Sequence, residues 1–326
     1  SGPGAVDCMV GTSSDTIFAD AASYGHLGDD ESDAFRSAIR NASVPSRDPQ
    51  VGRKGLASSR FRGWTSSDVP AGLSWTLEST ICDAAVARWA ADLAGRHAGT
   101  ADGDEYRAWS AYLANRSHSH VTLFDPAWRL FRGRTEGGAW SREPFDPREW
   151  GPDHVETHAW GMGCAPVHDW PLLTELLGGP SGVRRWLEEF HATPETASPE
   201  RKGGHAEVVH EMREARATGM GMLALSNQPA HHVPHFHAHS DAPWRGEAVT
   251  RDALDRLFVG SEIGQGYPGD EDNGELSAWW VWNALGLYPV VPGSGLLYLT
   301  APLLPRCTWR FPGGGCLRVR ADGVQH

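Results

Sequence analysis

Apolar residues recur at helical spacing through the middle of the chain. Leu77, Ile81, Ala85, Trp89 and Leu93 fall every four residues, which predicts one buried stripe of an amphipathic helix ended by Gly95. Tyr106, Trp109, Tyr112 and Leu113 form a second stripe. Asp169 caps a further predicted helix with Pro171 in its first turn, where proline's missing N–H costs nothing. Leu172, Leu173, Leu176 and Leu177 line its buried face before Gly178-Gly179 stops it. Ser181 opens another, with Val183, Trp186, Leu187 and Phe190 turned inward. Thr250 is predicted to cap a short helix carrying Leu254, Leu257 and Phe258 and closing at Gly260. Leu276 to Leu285 reads as an apolar helix bounded by Gly286 and Pro289. After Pro292 the pattern changes. Leu297-Tyr298-Leu299, Thr308-Trp309-Arg310-Phe311 and Leu317-Arg318-Val319 are short alternating segments between Pro and Gly clusters, which predicts antiparallel strands. The expected fold class is mainly α with a short C-terminal antiparallel β segment. Helical hairpins joined by long polar loops suit an α/α toroid, and periodicity alone allows an ordinary helical bundle equally well.

Composition narrows the function classes. A chain of 326 residues has room for one large domain or two ordinary ones. Forty per cent apolar residues and a mean hydropathy of −0.42 describe a globular chain with ample material for a core. No apolar run reaches the length of roughly eighteen residues that a membrane span needs. The balance of 29 basic against 41 acidic residues, a net charge of −12, speaks against a nucleic-acid partner, which would call for a basic face. The opening Ser1-Gly2-Pro3-Gly4 shows neither a charged n-region nor an apolar h-region, so no signal peptide is visible in this chain. The five cysteines (Cys8, Cys82, Cys164, Cys307 and Cys316) contain no C-x-x-C pair. Cys307 and Cys316 flank Pro312-Gly313-Gly314-Gly315, and they read either as partners across a hairpin or as small apolar strand residues. The fifteen tryptophans fit cores and also sugar-binding clefts.

The densest polar constellation is Gly266-Tyr267-Pro268-Gly269-Asp270-Glu271-Asp272-Asn273-Gly274-Glu275, directly before the Leu276 helix. Three adjacent carboxylates repel one another, so a cation or a reaction that needs carboxylates would justify gathering them; a solvated acidic loop that caps the helix is the other reading. The EF-hand pattern is not met. His231, His232, His235, His237 and His239 form a second cluster. Without an H-x-x-x-H pair bracketing a helix-borne acid, and with Pro234 interrupting the run, these read as core or substrate-contact histidines before transition-metal ligands. His210-Glu211 and Asp153-His154-Val155-Glu156-Thr157-His158-Ala159-Trp160 each set an acid beside histidine. Ser13 and Ser14 lack the glycine-elbow frame of a nucleophilic serine, which argues against a serine hydrolase.

Taken together, these stretches resemble glycoside hydrolase family 92. The resemblance is carried by the run from Val259 through Asp270 and Asp272 to Trp279 and Tyr288-Pro289. It continues in Met9 to Asp15 with Phe18-Ala19-Asp20, Ser74 to Glu78, Val155 to Trp160, His210-Glu211-Met212 and Ser226-Asn227-Gln228-Pro229-Ala230-His231-His232. It spans roughly residues 8–320 in the family's order. It implies a calcium-dependent, inverting exo-α-mannosidase acting on mannose-containing glycans, secreted or periplasmic. It also implies that residues 1–292 are part of an (α/α)6 toroid and 293–326 the start of a closing β segment, with an N-terminal β-sandwich expected in the full-length chain. An incomplete toroid would leave apolar helix faces bare, so the isolated chain is expected to aggregate.

By the same resemblance Glu156 is the general acid, and Asp270 and Asp272 are the candidates for the base that activates water. Inverting enzymes hold such carboxyl groups about 6.5–9.5 Å apart. Asn227 and Gln228 are expected beside Ca²⁺, which takes oxygen ligands. His210-Glu211 would hold the second sugar of an α-1,2 linkage and Asp15 the terminal mannose, and the matched motifs put Trp160, His231 and His232 among the sugar contacts. Two departures matter. Gln228 stands where the family often has Glu, and His158 where it often has Asn. Were Gln228 at the acid site, a phosphate leaving group, with its second pKa near about 6, would be the natural substrate chemistry. Mannosyl-phosphate-mannose hydrolysis is therefore one alternative, and an inactive mannose-binding fragment is the other.

Overall fold

The computed structural model describes residues 9–259 and 266–324. The chain divides into two compact units that share the polypeptide in alternation. The first is Ser1–Leu176, Ser198–Glu207 and Val291–Gly295; the second is Leu177–Ala197, Val208–Val290 and Leu296–His326.

The first unit begins with helices α1 (Ser13–Ser23), α2 (Glu31–Ser43) and α3 (Leu56–Arg62), followed by the long α4 (Gly72–Arg96) and α5 (Ala101–Ser117). Leu77, Ala85, Trp89 and Leu93 of the predicted α4 stripe are buried, Ile81 only half so, and alanines widen it. Ala85, Ala87 and Ala90 leave room for α1 and α2 to lie close, so Ala19, Phe35, Ala38 and Ala42 join Val86, Trp89, Leu93 and Leu113 in one core. Phe35 sits edge-on to both Trp89 (5.1 Å) and Tyr106 (5.2 Å), the geometry that ring quadrupoles favour. Thr100 caps α5, its hydroxyl accepting from Gly103 N at 3.1 Å.

A 3-10 turn, His118–Leu123, leads into the hairpin of β1 (Phe124–Asp125) and β2 (Leu130–Phe131). The chain then runs without long regular elements to a second 3-10 turn, Val167–Asp169, and α6 (Trp170–Leu176). Buried arginine replaces regular hydrogen bonding in that stretch. Arg132 donates to Asp125 Oδ2 at 2.8 Å and to the Arg142 carbonyl at 2.5 Å, with its guanidinium 4.4 Å from the Phe145 ring centre.

The second unit contains α7 (Pro180–Ala192), α8 (His210–Thr218), α9 (Trp244–Leu257) and α10 (Glu275–Ala284). Two antiparallel strand pairs follow, β3 (Leu287–Tyr288) with β4 (Tyr298–Leu299), and β5 (Arg306–Arg310) with β6 (Cys316–Arg320). Its core is aromatic. Trp186 stacks on Phe190 at 5.6 Å and meets Phe236 edge-on at 6.2 Å. Gly221, at φ +73°, lets Met222 N reach the Phe190 carbonyl at 3.1 Å; a Cβ there would stand 2.4 Å from the His191 carbonyl oxygen.

Two expectations are corrected. Thr250 does not cap a helix: α9 starts six residues earlier at Trp244, so Thr250 is an interior residue, 1% exposed. The expected stop at Gly260 lies outside the described residues. Cys307 and Cys316 do not face each other, because the register pairs Cys307 with Val319 and Cys316 with Arg310, and both thiols are free. Seven of the fifteen tryptophans are buried, Trp150, Trp170, Trp186 and Trp279 among them, while Trp244 is 62% exposed.

Candidate active site

In the second unit the acidic turn separates into distinct roles. Asp272, Asn273 and Gly274 adopt positive φ (55°, 58° and 99°), which curls the chain tightly into α10. Glu271 folds over the start of that helix, its carboxylate accepting from Gly274 N at 2.6 Å and Ser277 N at 3.2 Å. The Ser277 hydroxyl foremost, and then these backbone N–H groups, hold the Glu271 carboxyl below its usual range. One of the three acids is therefore a helix cap, and Asp270 and Asp272 remain for other work.

Asp272 Oδ2 accepts from Gln228 Nε2 at 2.6 Å. Gln228 opens a one-turn 3-10 helix capped by Asn227, whose Oδ1 accepts from Gln228 N at 3.1 Å. The other end of the same amide, Gln228 Oε1, is buried without a hydrogen-bond partner. Glu275 stands close by and pairs with His231, Nδ1 to Oε1 at 3.2 Å, while His231 Nε2 meets the Leu225 carbonyl at 3.2 Å. Burial would raise the Glu275 carboxyl, but the hydrogen bond and charge of His231 outweigh it and hold it below its usual range. Trp279 donates its indole N–H to the His231 carbonyl at 3.0 Å and stacks on Phe258 at 5.5 Å, fixing this corner.

Asp270 belongs to a second group. Its charge acts on His210, whose Nδ1 lies 3.1 Å from Glu214 Oε1 and whose Nε2 lies 3.2 Å from Glu211 Oε1. Partial burial pulls the His210 pKa down, yet the Glu214 hydrogen bond and the charges of Glu211, Glu214 and Asp270 win and raise it above the ordinary value. Gly269 is required at the base of this group, since a Cβ there would come within 2.3 Å of Ser226 Cβ and 2.6 Å of Glu214 Oε2. The remaining histidines of the cluster are packed rather than poised. His232 and His235 are pushed down to about 3 by burial, so both are neutral, and His235 stacks on Tyr288 at 4.2 Å.

In the first unit Glu156 occupies a left-handed position, φ 53°, on the irregular stretch before α6. It is half-buried, like Val155 before it, and is followed by buried Thr157, His158 and Ala159 and by Trp160, 5% exposed. His158 meets Trp150 edge-on at 5.7 Å and accepts from Gly161 N at 3.0 Å; burial pushes it down to about 3.

Asp15 is fully buried and already engaged. Thr12 Oγ1 (2.5 Å) and Arg53 (3.4 Å) donate to its Oδ2, and Asn41 Nδ2 (2.8 Å) to its Oδ1. Arg53 also donates to Asp83 Oδ1 at 2.5 Å, and Arg116 grips both oxygens of Asp83 at 2.6 and 2.8 Å. Desolvation raises the Asp15 carboxyl, and Arg53 opposes that only in part. Arg53, Asp83 and Arg116 carry no sequence signal, because residues 12 to 116 meet here only through folding. Glu156 and Trp160 belong to the first unit, whereas Asp270, Asp272, His210, Glu211, Asn227, Gln228, His231 and His232 belong to the second.

The described residues form a mainly helical body whose loops carry carboxylates beside amide and imidazole groups. The family follows from comparison: the model of the glycosyl hydrolase family 92 catalytic domain matches residues 2–326, and the chain belongs to that family. With membership comes the family's (α/α)6 catalytic fold, of which this chain holds a part. Among solved structures, the family GH92 inverting mannosidase BT2199 from Bacteroides thetaiotaomicron VPI-5482 is 28% identical with a TM-score of 0.81, over 98% of this chain and 42% of that one. The family GH92 alpha-mannosidase BT3965 from Bacteroides thetaiotaomicron is 25% identical with a TM-score of 0.78, over 97% of this chain. This chain therefore spans 37% of the length of BT3965 and 42% of that of BT2199. No curated protein matches it.

Proposed function

We propose that this chain is the catalytic-domain part of an exo-acting α-mannosidase that cleaves α-1,2-linked mannose by single-step inversion. The observation that carries the reading is the Gln228–Asp272 pair. A neutral amide holds one oxygen of a base candidate and leaves its own carbonyl oxygen buried and unpartnered. An orphaned acceptor beside Asp272, Asn227 and Glu275 matches the oxygen-only donor set of Ca²⁺. Bound there by Gln228, Asn227 and Asp272, the ion would supply positive charge toward adjacent sugar hydroxyls and favour a flattened ring.

The chain's own residues divide the remaining work. Asp270 or Asp272 accepts the proton of the attacking water, and Glu156 gives its proton to the leaving sugar oxygen. His210, whose raised pKa keeps more of it charged near neutral pH, and Glu211 offer a donor and an acceptor to the second sugar. Trp160 and His231 complete the proposed sugar contacts; His232 is packed and neutral, and Asp15 is fully buried and held by Thr12, Asn41 and Arg53, so these two would act behind the contacts and not on the sugar itself. Gln228 donating to Asp272 is the posture of a positioning amide. A location outside the cytoplasm is proposed on the family resemblance alone. Among the described residues no helix is long and apolar enough to cross a membrane.

The test is mannose release from α-1,2-mannobiose by the purified chain, with and without a calcium chelator. Chelator-sensitive release, reduced roughly 10²–10⁴-fold in Glu156→Gln, is the expected result. Full activity in Glu156→Gln refutes the acid assignment, and mannose binding without turnover leaves the chain a binding module.

A further inference from the structure

A cluster unrelated to the acidic turn has the chemistry of a transition-metal site. His118 and His120 lie on the 3-10 turn that follows α5, and His168 and Asp169 on the 3-10 turn that precedes α6. One ligand atom each from His120, His168 and Asp169 falls within 4.8 Å of the other two. His120 Nε2 faces Asp169 Oδ2 at 3.5 Å, and the His120 and His168 rings meet edge-on at 5.5 Å.

The backbone fixes which nitrogens are available. His120 Nδ1 and His168 Nε2 each lie 3.0 Å from the same carbonyl oxygen, that of Ser117. A carbonyl only accepts, so both of these nitrogens carry the proton, and in the neutral rings His120 Nε2 and His168 Nδ1 present lone pairs. Both lone-pair nitrogens are buried and have no hydrogen-bond partner. His120 has no side-chain exposure at all, and its Nε2, the lone-pair nitrogen in that tautomer, faces the Asp169 carboxylate oxygen at 3.5 Å. Acceptor set against acceptor in a buried place is unfavourable unless something positive lies between them. A ligating histidine usually donates its other ring N–H to a backbone carbonyl, which is the role Ser117 fills twice here.

We propose that His120, His168 and Asp169 bind a zinc-class divalent ion, with His118 at the solvent edge of the site. Two imidazoles and a carboxylate are the donor set of that class, whereas calcium prefers oxygen throughout. Bonds of about 2.0–2.2 Å would bring the donors to roughly 3.4 Å from one another, so the His120–Asp169 pair is nearly in place and His168 closes the remainder. His118, 56% exposed and 2.5 Å from Asp169 Oδ2 through its Nδ1, would then exchange that hydrogen bond for the fourth ligand position or yield it to water. A cavity of about 270 Å³ adjoins the site at His118 and His168 and is lined also by Ser117, Ser110 and Arg88. The Arg88 charge is countered by Asp20 and capped by the Pro292 carbonyl at 3.2 Å. The ion would join the two ends of the irregular stretch that bears Glu156, acting as a clip at its base.

The experiment uses the purified chain stripped with a chelator, then titrated with ZnCl₂ by calorimetry and with CoCl₂ by visible absorption. The expected result is one equivalent of zinc, a ligand-field band from cobalt that zinc displaces, and no displacement by excess calcium. Affinity should fall roughly 100-fold or more in His168→Gln and in Asp169→Asn, and stay unchanged in His239→Gln. Far-UV circular dichroism identifies any variant that has not folded, and the cobalt band of the unaltered chain then decides alone. Absence of that band, binding that survives both His168→Gln and Asp169→Asn, or displacement by calcium overturns the proposal.

Discussion

Replacing Glu78 with glutamine should make the chain more stable at neutral pH and remove part of its pH dependence. Glu78 lies on α4 beside Gly11, with neither a hydrogen-bond partner nor a facing cation among the described residues, and burial alone pushes its carboxyl up to about 7 from 4.5. The folded state therefore holds a proton that the unfolded chain releases across that interval, so the contribution is complete below pH 4.5 and lost as the pH rises through about 7. At about 1.36 kcal/mol per pH unit the full loss is about 3 kcal/mol. Glu78 keeps some solvent contact, and water screening its charge reduces the expected loss to about 1–3 kcal/mol. Urea unfolding followed by tryptophan fluorescence at pH 4.5, 6 and 7.5 measures it. Glu78→Gln should match the unaltered chain at pH 4.5 and exceed it at pH 7.5. Equal slopes with pH in the two proteins would refute the assignment of this titration to Glu78.

Other outcomes follow from the same geometry. Arg53→Met strips a buried cation from Asp15 and Asp83 and should cost about 3–5 kcal/mol in urea unfolding, part of it recovered by adding Asp15→Asn. Gly221→Ala places a Cβ against the His191 carbonyl at positive φ and should lower stability by more than about 1 kcal/mol, read as a lower Tm. Thiol labelling of the folded chain should modify exposed Cys316 fast and Cys307 more slowly. Cys82 and Cys164 should stay protected, since burial pushes Cys82 up to about 12 and Cys164 higher still. A reducing agent should leave Tm unchanged, and a drop would signal a disulfide.

What was legible in the amino-acid sequence was whatever repeats locally. The α4 stripe, the α7 stripe of Val183, Trp186, Leu187 and Phe190, and the β5–β6 alternation all announce themselves within about a dozen residues. Helices α1 and α2 do not, because their buried faces are built from Ala19, Ala38 and Ala42 with Phe35 as the large anchor, and alanine contrasts little with polar neighbours. Thr250 misled because a threonine before an apolar run looks like a cap even when the helix has already turned once. The same limit governs the sites. His210-Glu211 is visible as a pair because its members are adjacent, and family motifs single out Gln228 and Asp272. That one donates to the other could come only from the folded chain. The histidine–aspartate cluster escaped notice for this reason: His120 and His168 each look ordinary in their own segment, and only the shared Ser117 carbonyl relates them.

The alternation of the chain between its two units has a consequence for biosynthesis. Asp20, on the first helix, accepts its hydrogen bond from the backbone of Gly293, at 2.6 Å, and Gly293 packs against Ala19 and Ala85. As the ribosome releases the polypeptide from its amino end, α1 and α4 emerge early and must wait for that segment before their packing is complete. Nascent chains halted ahead of Gly293 should thus remain sensitive to protease around α1, and those extended past Gly295 should become resistant.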